Sequence, residues 1–444
     1  MTDQLPLERL ALWVEKRPDA VWLSQPVNGQ WHDFTWAQVD DQARRMATAL
    51  HALGCVPGDR VALLAKNCAE WIIADLAIML AGLISVPLYP LQSAESIDYV
   101  LRHSQCKAIF LGKLDEPAKL APGIPAEVMR IAMPYPTIEA NHGWHALLAA
   151  HQPLRDGHSQ SPDELLSILY TSGTTGQPKG VMLSAKAFAI AGGRSVKELQ
   201  ITEQDQYFSY LPLSHAAERF LVEMNALYSG GRVAFVESLE TFASDLRHVR
   251  PTVFFSVPRL WTRFQQGVLE KLPQPKLARL LGIPLIGGLV ARKIRKGLGL
   301  DRARILVSGA AAIPRALLDW YQSIGITICE GYGMTEHLAY GCFNRPGQVR
   351  FGTVGRPMPG NELRIAENGE ILLRCPSLML GYYQDPEKTA ETITDGWLHT
   401  GDKGEVDAAG YLKITGRVKD IFKTSKGKYI APAPIEGEIA KNLW

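Results

Sequence analysis

The stretch Tyr170-Thr171-Ser172-Gly173-Thr174-Thr175-Gly176-Gln177-Pro178-Lys179-Gly180 decides how this chain is read. It follows an apolar run, Leu165 to Leu169, that reads as a buried strand. Glycines at 173, 176 and 180 let backbone N–H groups approach an anion closely. Thr171, Ser172, Thr174 and Thr175 add hydroxyl donors, and Lys179 adds a positive charge. That is the chemistry of a polyphosphate cradle. The run is not a Walker P-loop, which sets its second glycine directly before the lysine and Ser or Thr directly after it. Here Pro178 precedes Lys179 and Gly180 follows. A flexible surface loop is the plain alternative, and so dense a run after a strand speaks against it.

Further chemistry lies downstream. Glu330-Gly331-Tyr332-Gly333-Met334-Thr335-Glu336 follows a second predicted strand, Ile326 to Cys329. Open α/β sheets bind ligands at such strand ends. Tyr332 offers a flat face for a purine, Thr335 a donor to phosphate, and Glu336 a hard oxygen ligand for Mg²⁺. An ordinary strand-to-loop turn is the alternative. In Trp397-Leu398-His399-Thr400-Gly401-Asp402, a carboxylate can accept from both hydroxyls of a ribose, but by itself Asp402 reads as an exposed turn residue. His215 ends Tyr210-Leu211-Pro212-Leu213-Ser214-His215, and a lone histidine is more often structural than a ligand. Ser308-Gly309-Ala310-Ala311-Ala312 is small enough to leave room for a ligand or to pack tightly.

The chain has 444 residues, 46% hydrophobic and 21% charged, which is globular and longer than one core usually supports. A net charge of +2 gives no case for a nucleic-acid partner. Six cysteines without a C-x-x-C pair argue against a disulfide framework or a zinc site and fit a reducing cytosol. Met1 to Trp13 lacks a basic segment before an apolar core and is not a secretory signal; its spacing predicts an amphipathic helix. The apolar run Trp71 to Tyr89 is broken by Asp75, Gly82 and Pro87, so it reads as a buried helix and a strand rather than a membrane span.

Strand-like and helical patterns alternate from about residue 60 to 335, predicting parallel sheets with crossover helices. Pro314 fits the first turn of a helix to Ile324. After about residue 345 the character turns β-rich, with hairpin signals at Asn368-Gly369 and Ala409-Gly410. Lys413, Arg417, Lys419, Lys423, Lys426 and Lys428 then crowd together with only Asp420 opposing, as a solvated hairpin or a wall facing phosphates.

Taken together, these motifs resemble those of the adenylate-forming superfamily, which includes acyl-CoA synthetases, adenylation domains of peptide synthetases and luciferases. The resemblance implies an α/β fold: a large N-terminal domain, with two parallel-type α/β sheet subdomains over about 1–345 and a small β-barrel-like subdomain over about 346–416. Residues 417–444 would then be the hinge and stub of a mobile C-terminal domain that is largely missing, and Trp444 is expected to be a truncation point. The family places a lysine that serves the reacting carboxylate in that domain.

By the same resemblance, Thr171, Ser172, Gly173, Thr174, Thr175, Gly176, Lys179, Gly331, Tyr332, Gly333, Thr335, Asp402 and Arg417 would hold nucleotide, and Glu336 the metal. Lys179, Thr335, Glu336 and His215 would serve catalysis, with His215, Gly309 and Ala310 lining the acyl position. Gly416-Arg417-Val418-Lys419-Asp420 is similar to the family's hinge motif, with Lys419 at the pivot. Lys426 and Gly427 would line the CoA side.

The string Phe422 to Glu436 resembles the long-chain acyl-CoA synthetase branch. The implied reaction activates a fatty acid with ATP and Mg²⁺ to acyl-AMP and pyrophosphate, then forms the CoA thioester. Transfer to a carrier-protein thiol is the alternative. The basic stretch Leu277 to Leu300, with Arg279, Arg292, Lys293, Arg295 and Lys296, is either a solvated helix face or a peripheral contact with an anionic membrane. Acyl length and the number of subunits leave no mark in these patterns.

Overall fold

A computed structural model describes residues 3–171 and 177–418, and the backbone of two short strands, Phe422–Lys423 and Tyr429–Ile430. The chain divides into two compact units. The first comprises Met1–Leu239, Thr335–Leu338 and Ser377–Pro386; the second comprises Glu240–Met334, Ala339–Pro376 and Glu387–Trp444.

In the first unit, a mixed eight-stranded sheet has Arg60–Leu64 near its centre. This strand pairs in parallel with Ile84–Leu88 on one side and Cys106–Leu111 on the other. Ile84–Leu88 leads in parallel to Leu165–Thr171, which turns back antiparallel into Lys179–Ser184. Gly381–Tyr382 closes that edge, antiparallel to Lys179–Ser184. A further sheet in the same unit orders Gln206–Ser209, Arg232–Phe235 and Val21–Val27 in parallel, with Gln30–Thr35 antiparallel at its edge.

The helix Ala69–Leu80 packs against the helix Trp36–Ala52, and all twelve of its residues are buried. Each fully buried Leu or Ile there contributes about 1.5–3 kcal/mol. Its two acidic residues are buried with partners. Glu70 accepts from Tyr135 Oη at 2.7 Å, and Asp75 pairs with Arg219 at 2.5 Å. The expected helix is thus buried in the core, and among the described residues no helix is long and apolar enough to cross a membrane.

In the second unit, Val253–Ser256, Ile305–Ser308 and Ile328–Tyr332 run parallel. Cys342–Phe343 and Arg356–Pro357 extend this sheet antiparallel. Both expected hairpins form: Glu362–Ile365 pairs with Glu370–Arg374, and Trp397–Val406 with Leu412–Arg417, in one antiparallel sheet. Gly369 and Gly410 have φ of +82° and +81° at these turns, where a Cβ would be strained.

Three local readings shift. The strand expected at Ile326 to Cys329 runs Ile328–Tyr332, because Cys342–Phe343 pairs with Gly331 and Tyr332 and holds them extended. Pro314 is the N-cap of the helix Arg315–Ser323, one step outside its first turn. The basic stretch breaks into Gln274–Leu281 and Ile286–Leu298, interrupted at Gly282 and Pro284. All six cysteines are free and buried.

Candidate active site

The residues expected on the phosphate side that the structure describes, Thr171, Lys179, Thr335 and Glu336, lie in the first unit. Thr171 ends its strand, and Lys179 begins the next, opposite it in the ladder. Lys179 thus stands at the start of the returning strand, directly across from Thr171. Gly180 is demanded by packing, since a Cβ there would lie 2.8 Å from Ile168 Cγ2. Lys179 Nζ stands 5.6 Å from the centroid of the Tyr382 ring. Tyr382 in turn donates to Glu336 Oε1 at 2.8 Å. The Glu336 carbonyl accepts the Met379 N–H at 2.7 Å, so this carboxylate is tied to the Ser377–Pro386 segment through both side chain and backbone.

Glu336 is buried, and Thr335 beside it is half-buried, both in the short 3₁₀ turn Thr335–His337. One buried hard-oxygen ligand fits Mg²⁺, which takes one or two carboxylates and completes its shell with water and phosphate oxygens. Behind Glu336, the imidazole of His337 is fully buried, and burial pulls its pKa down to about 4.

His215 caps the short helix Ala216–Glu218, its Nδ1 accepting the Ala217 N–H at 3.1 Å. That contact leaves Nε2 as the donor of the neutral ring. Burial lowers its pKa, which favours the same neutral form.

The residues expected on the nucleoside side, Tyr332, Asp402 and Arg417, lie in the second unit. Tyr332 Oη donates to Asp402 Oδ2 at 2.6 Å, and Arg417 Nε lies 3.3 Å from Asp402 Oδ1. Asp402 and Arg417 face each other across the ladder of Trp397–Val406 and Leu412–Arg417. Asp402 is buried rather than an exposed turn residue, and Arg417 is exposed. Burial together with the Asp402 charge holds the Tyr332 phenol well above its usual range. Gly331 ends the strand with Tyr332, and a Cβ at Gly333 would meet the Ala339 carbonyl oxygen at 2.4 Å. Gly309 follows the strand Ile305–Ser308, and the exposed Ala310 takes the left-handed φ of +66°. A non-glycine residue in that region is strained, and such strain clusters at ligand sites.

Thr335 and Glu336 thus belong to the first unit, while Gly331, Tyr332 and Gly333 belong to the second. Ser172, Gly173, Thr174, Thr175, Gly176, Lys419, Lys426 and Gly427 lie outside the described residues. Tyr382 was not foreseen: it comes from a two-residue strand, too short to carry a period. The Tyr332–Asp402 bond was not foreseen either, because its partners are 70 residues apart. In the basic stretch, Arg279, Arg292, Lys293 and Lys296 are exposed, but Arg295 turns inward and donates to the Ile324 carbonyl at 2.6 Å.

The profile of the family described as AMP-binding enzyme matches residues 10–383. The chain is 32% identical to the long-chain-fatty-acid–CoA ligase FadD15 of Mycobacterium bovis, over 95% of this chain and 76% of that protein. It is 31% identical to long chain acyl-CoA synthetase 1 of Arabidopsis thaliana, over 92% of this chain and 70% of that one. Among solved structures, the anthranilate CoA ligase AuaEII in complex with anthranoyl-AMP superposes with a TM-score of 0.82 at 25% identity, covering 98% of this chain and 82% of that one. The match over residues 10–383 and the 32% identity over 95% of the chain show that the chain belongs to the AMP-binding enzyme family.

Proposed function

We infer that this chain activates a long-chain fatty acid with ATP and passes the acyl group to CoA. The observation that carries this reading is the 32% identity, over 95% of the chain, with a long-chain-fatty-acid–CoA ligase. The side-chain clusters supply the chemistry. In the first step a carboxylate oxygen attacks the α-phosphorus of ATP, the bond to the β-phosphate breaks, and pyrophosphate leaves. Two anions meet, so positive charge and fixed donors must stand where negative charge gathers. Lys179 serves the departing phosphates, and Thr335 donates to a phosphate oxygen. Glu336 would hold Mg²⁺, which neutralises charge between phosphate oxygens. Asp402 and Arg417 hold the ribose, and Tyr332 presents its ring to the adenine.

His215, Gly309 and Ala310 border the acyl position, with His215 a neutral donor. In the second step the CoA sulfur attacks the acyl carbonyl carbon, AMP leaves, and the thiol proton passes to solvent. No side chain becomes a covalent nucleophile, and positioning does most of the work.

The tip between the helices Gln274–Leu281 and Ile286–Leu298 supports a peripheral membrane contact. Leu285 is 89% exposed and Leu289 66% exposed, beside the exposed Arg279, Arg292, Lys293 and Lys296. Exposed apolar side chains and cations on one stretch suit an anionic lipid surface. Sedimentation with phosphatidylglycerol vesicles, lost in Leu285→Glu/Leu289→Glu, is the expected result; equal sedimentation of both proteins removes the contact.

Calorimetry with non-hydrolysable acyl-AMP analogues of short, medium and long chain tests the central reading. Affinity that rises with chain length is expected. Flat dependence, with the AMP portion still binding, would keep the adenylating chemistry and overturn the long-chain substrate.

A further inference from the structure

Glu218 is 1% exposed and sits three residues after His215, where the helix Ala216–Glu218 runs into the π-helical turn Arg219–Met224. Such π turns concentrate at functional sites. Glu218 Oε1 accepts from Ser209 Oγ at 2.9 Å, from the Tyr210 N–H at 3.2 Å and from Asn67 Nδ2 at 3.5 Å. Asn67, also buried, holds the same segment from its other side. Its Nδ2 donates to Ser209 Oγ at 2.7 Å and to the Leu211 carbonyl at 2.6 Å, and its Oδ1 accepts the Leu213 N–H at 3.1 Å. The segment Tyr210–His215 is thus gripped at 210, 211 and 213 by two side chains that come from outside it.

The next residue anchors this grip. Arg219 is fully buried and donates to Asp75 Oδ2 at 2.5 Å, Glu223 Oε2 at 3.1 Å, Ser85 Oγ at 3.2 Å and Ser167 Oγ at 3.0 Å. Ser167 lies on the strand that ends at Thr171. Adjacent residues on one turn therefore hold the His215 segment and the strand leading to the phosphate hairpin.

We propose that Glu218 is a positioning residue which, with Asn67, sets the Tyr210–His215 segment and through it the seat of the acyl group. This rests on the fatty-acid reading given above. Glu218 acts in its neutral form. Its Oε2 is buried without a hydrogen-bond partner. An unmade hydrogen bond of a neutral acid costs far less than a buried, half-solvated anion. Burial pushes the carboxyl up to about 8, in keeping with that form. An amide of the same shape should therefore serve equally well.

The test compares affinity for AMP with affinity for a long-chain acyl-sulfamoyl adenosine, by calorimetry, in wild type and in Glu218→Gln, Glu218→Ala and Asn67→Ala. The wild type should prefer the acyl analogue. Glu218→Gln should keep that preference within about threefold, and the two alanine variants should each lose about tenfold or more of it with AMP affinity unchanged, as the loss of a hydrogen bond to a fixed segment predicts. Should Glu218→Ala not fold, Asn67→Ala carries the same expectation with Glu218 in place. A preference retained in the alanine variants, a parallel loss of AMP affinity, or a Glu218→Gln as impaired as the alanine variant overturns the proposal. A wild type without acyl preference overturns the fatty-acid reading and this role together.

Discussion

Tyr382 Oη and Glu336 Oε1 are joined at 2.8 Å, while the Lys179 ammonium stands 5.6 Å from the same tyrosine ring. One phenol thereby orients the carboxylate assigned to the metal and lies beside the cation assigned to the phosphates. Removing only the hydroxyl, in Tyr382→Phe, should leave the fold intact. It should raise the Mg²⁺ concentration for half-maximal, acid-dependent ATP–pyrophosphate exchange by about 10-fold or more, the usual effect of a lost supporting partner. An unchanged Mg²⁺ requirement would separate Glu336 from the metal.

Asp402 has both carboxylate oxygens engaged, one by Tyr332 and one by Arg417. Its replacement in Asp402→Asn removes the charge that would receive the ribose hydroxyls. A charged hydrogen bond is worth about 1.5–3 kcal/mol, so AMP should bind about 10- to 100-fold more weakly. Tyr332→Phe should fall by less, because the carboxylate survives. Calorimetric titration with AMP decides, and wild-type affinity in Asp402→Asn would remove it from the nucleotide site.

Lys179 begins the strand opposite Thr171, at the foot of the hairpin. The role proposed for this charge is on the departing phosphates rather than on the nucleoside. In Lys179→Ala, the pyrophosphate-releasing half-reaction should slow by about 10²-fold or more, the usual cost of losing one preorganised electrostatic contact, with AMP binding nearly unaltered. Equal loss of both, in single-turnover and binding measurements, would contradict the assignment.

His337 titrates near 6.5 when unfolded and near 4 in the fold, where burial opposes its charge. Between these values the unfolded chain takes up the proton and the folded chain does not. Stability is therefore complete above pH 6.5 and falls as pH drops toward 4, by about 3 kcal/mol from this group alone. Denaturant titrations of wild type and His337→Gln across that range should differ in slope, whatever their difference at pH 7. Parallel slopes would show that His337 is not buried neutral.

The alternation predicting parallel sheets was legible, and Arg60–Leu64 with its two parallel neighbours follows it. The helix Ala69–Leu80 was legible as a buried helix since Asp75 and Pro87 ruled out a span. The boundary at Ile328–Tyr332 was not, because it depends on a partner strand at Cys342–Phe343. Arg295 read as one more surface cation, and only the packing turned it toward the Ile324 carbonyl. Glu218 read as nothing at all: an acidic residue in an apolar stretch has no local signature of whether it is paired.

Local chemistry and order along the chain were decided by the sequence alone. A hydroxyl-rich glycine run after a strand, a tyrosine and glutamate after another, and an aspartate within a hairpin name the chemistry without any coordinates. The tertiary structure decided which of these groups touch. Tyr382 reaches Glu336 across 46 residues, Asp402 reaches Tyr332 across 70, and Asn67 reaches the Leu211 carbonyl across 144. Contacts at such separations depend on sheet order and register, which are set by burying whole apolar faces together. A short window of sequence does not contain that information.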